Sequence, residues 1–447
     1  MTASPRLYSE YLNNLKQVYL NSNNKVLQEY PSSAYQALRK TNITGKMGLA
    51  MNWQVVLAGA DGIGYDRLTA MNAGGAPTLL AASISSMVLQ YRHFAFEWHA
   101  LNDIRGKGGE AAYLSGKTLE IDTAMRAWKA TQSAQFFKDR HGDLGRVTSS
   151  GAAVAWAALG DEVTVTLDNF GMLRKMQTGM QLDFYTTRTD GTGSRRLKTT
   201  QWVEIGNINA ATRQVGLILR GTGAVPATTE RINDGVAAGP GDYVFYRNMR
   251  GKHPMGIADY VPLTDADIDA TPTLNGIDRR KDRTRLAGGR VSWQGSFADS
   301  ISSLLCQIGD LNADAPETLL WLSNENYQAF LQEGERNRLV IAELPQYSVG
   351  LGTNSVSFAS RFGTVKVASD PFMTSDRAYL MDMSKFEMLY TGPSPIHVIN
   401  DDGNTFVRTT PDSNIDGVYM EFRSERQLKA TDVSSCGVFD IPSAVVG

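Results

Sequence analysis

The chain has 447 residues, 42% of them hydrophobic and 20% charged, which supports a sizeable core and excludes global disorder. Its 44 basic and 46 acidic residues nearly balance, so tight nucleic-acid recognition by the whole chain is not expected. The length predicts roughly two or three domains. No run of about 18 apolar residues and no apolar signal core occurs, so neither membrane insertion nor export is predicted.

Residues 1–45 are polar and rich in Asn, Ser and Tyr, with only short stretches of apolar spacing. They offer too little apolar surface for a core of their own. Basic residues outnumber acidic residues in this segment. We therefore predict an arm that packs on another body.

Two extended segments follow, at 47–58 and 86–99. The second alternates as a strand does, with Phe94, Phe96 and Trp98 on one parity. Between the two segments lies a stretch rich in Gly and Ala, with few side chains that pack. We predict that the two segments pair as an extended β-hairpin. Because an isolated hairpin is marginally stable, it should lie against another body.

Residues 107–140 lack proline and place apolar residues at helical spacing, with Gln132 the one polar intrusion. This pattern predicts a long amphipathic helix. Short strands separated by turn signals then occupy residues 161–250. Strands at this spacing predict a small antiparallel barrel or sandwich, inserted into the rest of the fold.

The remainder of the chain mixes helices and strands. The segments GSFADSISSLLCQIGDLN and NENYQAFLQEGER predict helices on either side of a buried strand at 319–323. Further strands are predicted at 363–371 and 377–383, and the segment 418–432 begins as a strand with alternating apolar residues.

The two cysteines, Cys306 and Cys436, lie far apart and fit no metal-ligand spacing. One disulfide between them is formally possible. We favour two buried free thiols, an interpretation compatible with synthesis in a reducing cytoplasm.

None of the candidate motifs in the sequence meets the requirements of an enzyme site. The SGKT sequence at 115–118 lacks the first glycine and the preceding strand of a phosphate-binding loop. Asp265, Asp267 and Asp269 resemble the start of a calcium loop, but the required glycine and the final glutamate are missing, which favours a solvated acidic turn. None of the five histidines pairs with another at helical ligand spacing. We predict no catalytic residue, no cofactor and no metal.

The order of these elements, together with four local segments, carries a resemblance to a known family. The segments are LNGIDR (274–279), LLWLSNENYQAFLQ, FGTVKVASDPFMTSDRAYLMDMSKFEML and YMEFRSERQLKATDVSSCGVF. Together they resemble the major capsid proteins of tailed bacteriophages, whose fold is shared with herpesviruses and encapsulins. The resemblance is strongest over about residues 255–440.

The resemblance implies an α+β capsid fold with an N-terminal arm, an extended β-hairpin loop, a long spine helix, peripheral and axial domains and an inserted small β-barrel. The implied divisions are the arm at 1–45, the extended loop at 46–105, the spine helix and start of the peripheral domain at 106–160, the inserted barrel at 161–250, the peripheral domain at 251–300, the axial domain at 301–395, and the return strand and tail at 396–447.

The implied function is that of a major capsid protein that is not an enzyme. It would self-assemble into hexamers and pentamers that form an icosahedral shell around phage double-stranded DNA. The extended loop would lie over a neighbouring subunit, because its apolar residues are too many for the surface of one subunit. The residues assigned to this inter-subunit contact are Trp53, Arg67, Arg92, Phe94, Phe96, Glu97 and Trp98.

The implied partners are further copies of the chain, a separate scaffolding protein, a portal, packaged DNA and in some capsids a decoration protein, with no membrane. The location would be the virion, assembled in the host cytoplasm. DNA contact would be salt-sensitive and independent of sequence. The candidate DNA-facing residues are Arg6, Lys16, Lys25, Lys129 and Lys138; the alternative for each is a merely solvated charge.

Some members of the family link a lysine near the tip of the loop covalently to a neighbour. No lysine occurs between Lys46 and Lys107, so this crosslink is not expected here. Three other functions stay open: an encapsulin-like nanocompartment shell, another virion protein of the tail-tube type, and an enzyme.

Overall fold

The computed structural model describes most of the chain and leaves gaps between the described segments. The described residues are 32–44, 50–58, 66–73, 78–97, 125–126, 128–149, 154–167, 176–188, 195–209, 212–226, 231–233, 239–310, 319–336, 342–343, 356–360, 363–398, 407–408 and 417–442.

Strands outnumber helices in this part of the chain. The strands are β1 (Arg39–Asn42), β2 (Met51–Ala58), β3 (Thr78–Ile84), β4 (Val88–Glu97), β5 (Gly145–Ser149), β6 (Glu162–Thr166), β7 (Gln181–Tyr185), β8 (Gln201–Asn209), β9 (Gln214–Gly221), β10 (Gly239–Tyr246), β11 (Thr273–Leu274), β12 (Ile277–Asp278), β13 (Gly289–Val291), β14 (Leu319–Leu322), β15 (Ala342–Glu343), β16 (Val356–Ser360), β17 (Gly363–Ser369), β18 (Arg377–Met381), β19 (Phe386–Tyr390), β20 (His397–Val398), β21 (Val407–Arg408), β22 (Gly417–Ala430) and β23 (Gly437–Asp440).

The helices are short or of moderate length. They are α1 (Ser33–Ala37), α2 (Arg67–Ala73), α3 (128–136), α4 (Ile257–Tyr260), α5 (Asp265–Ala270), α6 (Phe297–Gly309) and α7 (Asn324–Arg336), with 3-10 turns at Arg279–Lys281 and Met383–Lys385. None of the helices in the described segments is both long enough and apolar enough to cross a membrane.

The predicted hairpin exists, but its second strand was predicted wrongly. β2 pairs antiparallel with β3, in the register Trp53 to Ala82 and Val56 to Leu79. β4, the predicted partner of β2, pairs instead with β22 over its whole length, from Val88 opposite Arg426 to Glu97 opposite Gly417. The strong alternation of β4 therefore reflects a place in a larger sheet.

β22 is the central strand of a six-stranded sheet. β4 lies along one side of it, and β19, β20 and β21 pair with its other side in succession. β1 adds to β19 as a parallel strand. This sheet therefore joins segments from both ends of the chain.

α3 packs on this sheet through a mixed interface. Trp128 contacts Phe422 edge to face, with 6.5 Å between the ring centroids. Beside this contact, Gln135 Oε1 accepts hydrogen bonds from Gln90 Nε2 at 3.3 Å and from Arg426 Nη2 at 3.4 Å. The buried side of the helix therefore carries polar contacts as well as the predicted apolar ones. The predicted helical residues 107–124 lie outside the described segments.

Residues 145–246 contribute a second six-stranded sheet in the order β5-β10-β7-β8-β9-β6, antiparallel throughout. β5 and β6 are the two edge strands of this order. A single bridge joins Val147 of β5 to Leu167, the residue that follows β6. Alternate residues on one face are fully buried, such as Leu217 and Leu219 on β9, as a period of two requires.

The third large sheet has seven strands in the order β13-β23-β18-β14-β17-β16-β15. α6 begins at the N-cap Ser296, whose side chain accepts a hydrogen bond from Asp299 N. Apolar residues of α6, including Leu304 and Ile308, pack with Phe330 of α7 on the face of the sheet. The final strand β23 belongs to this sheet, whereas the preceding β22 belongs to the first.

Both cysteines are free, as favoured from the sequence. Cys436 is buried, and burial raises the pKa of its thiol to about 12. Cys306 is exposed on α6, so the prediction that both thiols are buried is wrong for this residue. Its position follows from the amphipathic spacing of α6, where Leu304 and Leu305 face the core instead.

Candidate functional site

The hairpin formed by β2 and β3 has two faces of different character. The inner face packs on the body of the same chain: Trp53 and Val55 contact a cluster that contains Ala82, Ile277 and Leu286. Part of the burial of Trp53 is therefore supplied by its own chain, and its contact with a neighbouring subunit stays a prediction. Its ring is half-buried within its own chain.

A tight turn supports the base of this hairpin. β11 and β12 are joined by Asn275 and Gly276, both with positive φ angles of 52° and 84°. An Asn-Gly pair with positive φ at both positions is favoured in two-residue β-hairpins. The carbonyl of Asn275 accepts a hydrogen bond from Ser83 N at 2.9 Å, which fixes β3 to the body.

The outer face of the hairpin exposes apolar side chains. Val56 is 63% exposed, and its cross-strand partner Leu79 is 50% exposed. We call these two residues the outer patch. Leu68, on the helix α2 between the two strands, is 69% exposed. The outer patch therefore places two exposed apolar side chains side by side on this face of the hairpin.

The predicted inter-subunit residues occupy different environments. Arg67 is exposed at the start of α2, beside Leu68. Arg92 is half-buried on β4, where burial lowers its pKa and the nearby Tyr246 partly opposes that shift. The backbones of Phe94, Phe96 and Glu97 lie opposite Met420, Val418 and Gly417 of β22. Trp98 lies outside the described residues. Of the predicted inter-subunit residues, Trp53 and Arg67 therefore belong to the hairpin, whereas those on β4 belong to the sheet around β22.

The predicted DNA-facing residues also lie in different environments. Arg6, Lys16 and Lys25 lie outside the described residues. Lys129 is exposed on α3. Lys138 is buried, and its Nζ donates a hydrogen bond to the backbone carbonyl of Asp143. The assignment of Lys138 to a DNA-facing surface is therefore wrong, because its ammonium group is held inside the subunit.

Lys138 belongs to a buried ionic network that we call the Asp143 network, formed with Asp139, Asp143 and Arg188. Arg188 Nη2 lies 2.8 Å from Asp139 Oδ2, and Arg188 Nε lies 2.7 Å from Asp143 Oδ1. Lys138 Nζ lies 3.7 Å from Asp143 Oδ2. The network connects the segment after α3 to the loop after β7, so it ties the antiparallel six-stranded sheet to the body of the subunit.

The charges in this network govern the protonation of Asp143. Burial alone would raise the pKa of its carboxyl group, because burial disfavours the charged form. The charges of Lys138 and Arg188 outweigh that effect and hold the pKa well below its ordinary value. Asp143 is therefore an ionised carboxylate at neutral pH.

The pKa of Asp259, at the start of α4, is shifted in the opposite direction to that of Asp143. Burial raises the pKa of its carboxyl group to about 7, and the neighbouring Asp139 adds to the shift. Backbone N–H groups of Arg140 and Gly256 donate to Asp259 Oδ2 at 2.7 and 3.1 Å, which lowers the pKa without cancelling the effect of burial.

A pH dependence of stability follows from this raised pKa. A raised pKa in the folded state stabilises the fold fully below the ordinary value near 4 and loses that contribution as the pH rises through about 7. Relative to Asp259→Asn, the wild type should therefore lose stability between about pH 4 and 7. Urea midpoints measured across this range test the prediction, and parallel profiles for the two proteins would contradict it.

The described residues contain no group of three or more His, Cys, Asp or Glu side chains that could hold a metal ion. Asp265, Asp267 and Asp269 lie on the helix α5 rather than in a calcium-type loop or an acidic turn. Asp267 caps the helix with Thr264, while Asp265 and Asp269 pair with Arg290 and Arg283. Each carboxylate therefore has a structural partner.

Comparison with solved structures identifies the fold as a phage capsid fold. A chain of the capsid asymmetric unit of cyanophage A-1(L) superposes with a TM-score of 0.51 and 11% identity, covering 95% of this chain and 98% of that chain. No family model and no curated protein sequence matches. The similarity is one of fold and extends over nearly the full length of both chains.

Two further solved structures have lower TM-scores. The capsid of a native GTA particle has a TM-score of 0.42 and 9% identity, covering 96% of each chain. An encapsulin complex from Synechococcus elongatus PCC 7942 has a TM-score of 0.42 and 8% identity, covering 98% of this chain and 96% of that chain.

Proposed function

We propose that the chain is the major capsid protein of a tailed phage, a shell subunit and not an enzyme. The observation that carries the proposal is the agreement in fold with the cyanophage capsid chain along nearly all of both chains. The exposed outer patch on a hairpin that is fixed to the body supports it, because a shell subunit needs apolar surface that only neighbouring copies cover.

In this proposal the parts of the chain take the roles implied by the capsid fold. The helix α3 is part of the spine, the seven-stranded sheet with α6 and α7 is the axial domain, and the sheet around β22 is the peripheral domain. The antiparallel sheet of residues 145–246, whose two edges meet at the Val147–Leu167 bridge, is an inserted barrel. The arm is the segment 1–45, of which α1 and β1 are described elements.

The proposed shell consists of hexamers and pentamers, closed by heterologous contacts, and is located in the virion after assembly in the host cytoplasm. A separate scaffolding protein, a portal, packaged DNA and a decoration protein complete the set of proposed partners. Lys129 is the described residue proposed to contact DNA, since its charge is exposed on α3. Such contacts weaken as the salt concentration rises.

Electron microscopy of the purified protein tests the proposal. The wild type should form closed shells, alone or with its scaffolding protein. The double variant Val56→Lys, Leu79→Glu places a pair of opposite charges on the outer patch and should remain unassembled, with a change in monomer stability of about 0.5 kcal/mol or less because both side chains are exposed and the two charges attract each other across the strands. The matched control is Leu159→Asp, an exposed apolar residue outside the hairpin, which should still assemble.

Dispersed monomers of the wild type under all assembly conditions would contradict the proposal. Open tubes would favour a tail-tube type of protein instead. If the double variant formed shells as well as the wild type, the outer patch would not be needed for assembly, but the capsid function would still stand.

A further inference from the structure

Two long strand edges lack a backbone partner within the described part of the chain. β4 pairs only with β22, which leaves the other edge of its ten residues without hydrogen-bond partners from described residues. Among the described residues β2 pairs only with β3, so the outer edge of its eight residues also has no backbone hydrogen-bond partner from them. An open edge presents a row of backbone donors and acceptors to a further strand.

The edge of β2 lacks most of the features that usually prevent strand addition, although its ladder with β3 is irregular between Val56 and Ala58, whereas β4 carries Arg92 and Glu97. β2 has the sequence MNWQVVLA, without a charge or a proline. Proteins commonly protect edges with charged residues, prolines, bulges or very short strands. An uncharged apolar strand of this length is therefore expected to have a partner in the functional protein.

Exposed apolar side chains accompany both edges. Val56 is exposed on β2, while Leu89 and Tyr91 are 38% and 55% exposed on β4. Leu89 and Tyr91 are two positions apart, so they lie on one face of their sheet. Addition of β2 to the edge of β4 would pair the two backbone edges and place side chains of both strands side by side on each face of the joined sheet.

The two edges belong to parts of one chain that are each fixed elsewhere. The inner face of β2 packs on Ile277 and Leu286, and β4 is fixed along β22. Contact between the edges therefore requires two copies. Because β2 and β4 differ, the contact is heterologous, and a heterologous contact that closes produces a ring.

We propose that β2 of one subunit adds to the open edge of β4 of a neighbouring subunit, forming a continuous intermolecular sheet. The proposal rests on the proposed capsid function and names the chain's own partner surface. Eight residues of strand span about 26 Å, which the ten residues of β4 accommodate without overhang.

Disulfide trapping between differently substituted copies tests this contact. Single-cysteine substitutions are placed on β2 (Gln54→Cys or Val56→Cys) and on β4 (Leu89→Cys or Tyr91→Cys), in a chain that also carries Cys306→Ser. All four positions are exposed, so the fold should tolerate the changes. A β2 variant with a size tag is mixed with an untagged β4 variant, assembled, oxidised and separated without reductant.

At least one of the four mixtures should yield tagged–untagged dimers at a level ten-fold or more above the control. The control replaces the β2 variant by Leu159→Cys, an exposed residue outside the hairpin. Intramolecular disulfides cannot form, because each chain carries only one surface cysteine and Cys436 is buried.

The outcomes distinguish this inference from the capsid function on which it rests. Shells without heterodimers in any mixture would overturn the strand addition and leave the function standing. Homodimers of β2 variants alone would show that β2 pairs with β2, which also overturns it. The absence of both shells and heterodimers would overturn both proposals.

Discussion

Replacing Asp143 by asparagine lowers the free energy of unfolding by about 3–5 kcal/mol at neutral pH. The change removes one of the two carboxylates of the Asp143 network, which leaves Asp139 as the only carboxylate for the buried cations Lys138 and Arg188. Urea denaturation followed by tryptophan fluorescence measures the shift as a change in midpoint. Because the pKa of Asp143 lies well below its ordinary value, its contribution is present at neutral pH and declines as the pH falls below about 4.

A surface ion pair of similar geometry is the control for this prediction. Arg283 Nη2 lies 2.7 Å from Asp269 Oδ1, but both side chains are substantially exposed. Asp269→Asn should therefore cost less than about 1 kcal/mol. If Asp143→Asn and Asp269→Asn shifted the midpoint equally, the network would contribute no more than a surface pair.

Replacing Gly142 by alanine should destabilise the subunit by about 2–5 kcal/mol in total. Gly142 has a φ of +72°, where a side chain costs about 1–2 kcal/mol. A Cβ atom would also lie 1.7 Å from Cδ2 of His253, whose side chain is buried at 2% exposure. Overpacking of this kind costs about 1–3 kcal/mol. Thermal unfolding measures the sum.

Two further variants separate strain from steric clash. Gly160 also has a positive φ, of 95°, but nothing lies within 4 Å of the position of its Cβ. Gly160→Ala should therefore show the backbone cost alone. Combining Gly142→Ala with His253→Ala should give less destabilisation than the sum of the single changes, because the alanine occupies space that the ring vacates. Strict additivity would show that the ring is not the obstacle.

Local patterns predicted the mixed part of the fold accurately. The segment NENYQAFLQEGER forms α7 with the predicted bounds, and the buried strand predicted at 319–323 is β14 at Leu319–Leu322. Both elements have a strong periodicity that a single sequence displays. The likeness to the capsid fold, inferred from the order of elements, is also confirmed.

Pairing between distant segments was beyond what periodicity can predict. The alternation of β4 is equally compatible with β2 and β22 as partners, and only the complete fold selects β22. β3, with the sequence TLLAASI, was missed as a strand because small residues weaken its alternation. The outer patch was missed for the same reason, since it arises only when Leu79 stands opposite Val56.

Burial of single charged residues was also inaccessible from the sequence. Lys129 and Lys138 are the same residue type in the same predicted helix, yet one is exposed and the other buried. The difference comes from Asp143, which follows the helix and pairs with Lys138, while Arg188 from a distant segment pairs with the same carboxylate.

The exposed apolar residue Val56 did have a signal in the sequence. The run VVL at 55–57 places apolar side chains on both faces of β2, so at least one of them has to lie on the outer face.

The position of β22 and β23 in the sheets has a consequence for the newly made protein. Each is the last strand of its sheet to leave the ribosome, and each pairs with strands synthesised much earlier. Until that moment, neither sheet is complete, and the edge of β4 has no fixed position. Pairing between distant segments is slow to form. If β4 is the docking edge that we propose, the order of synthesis delays the completion of that edge until β22 has been made.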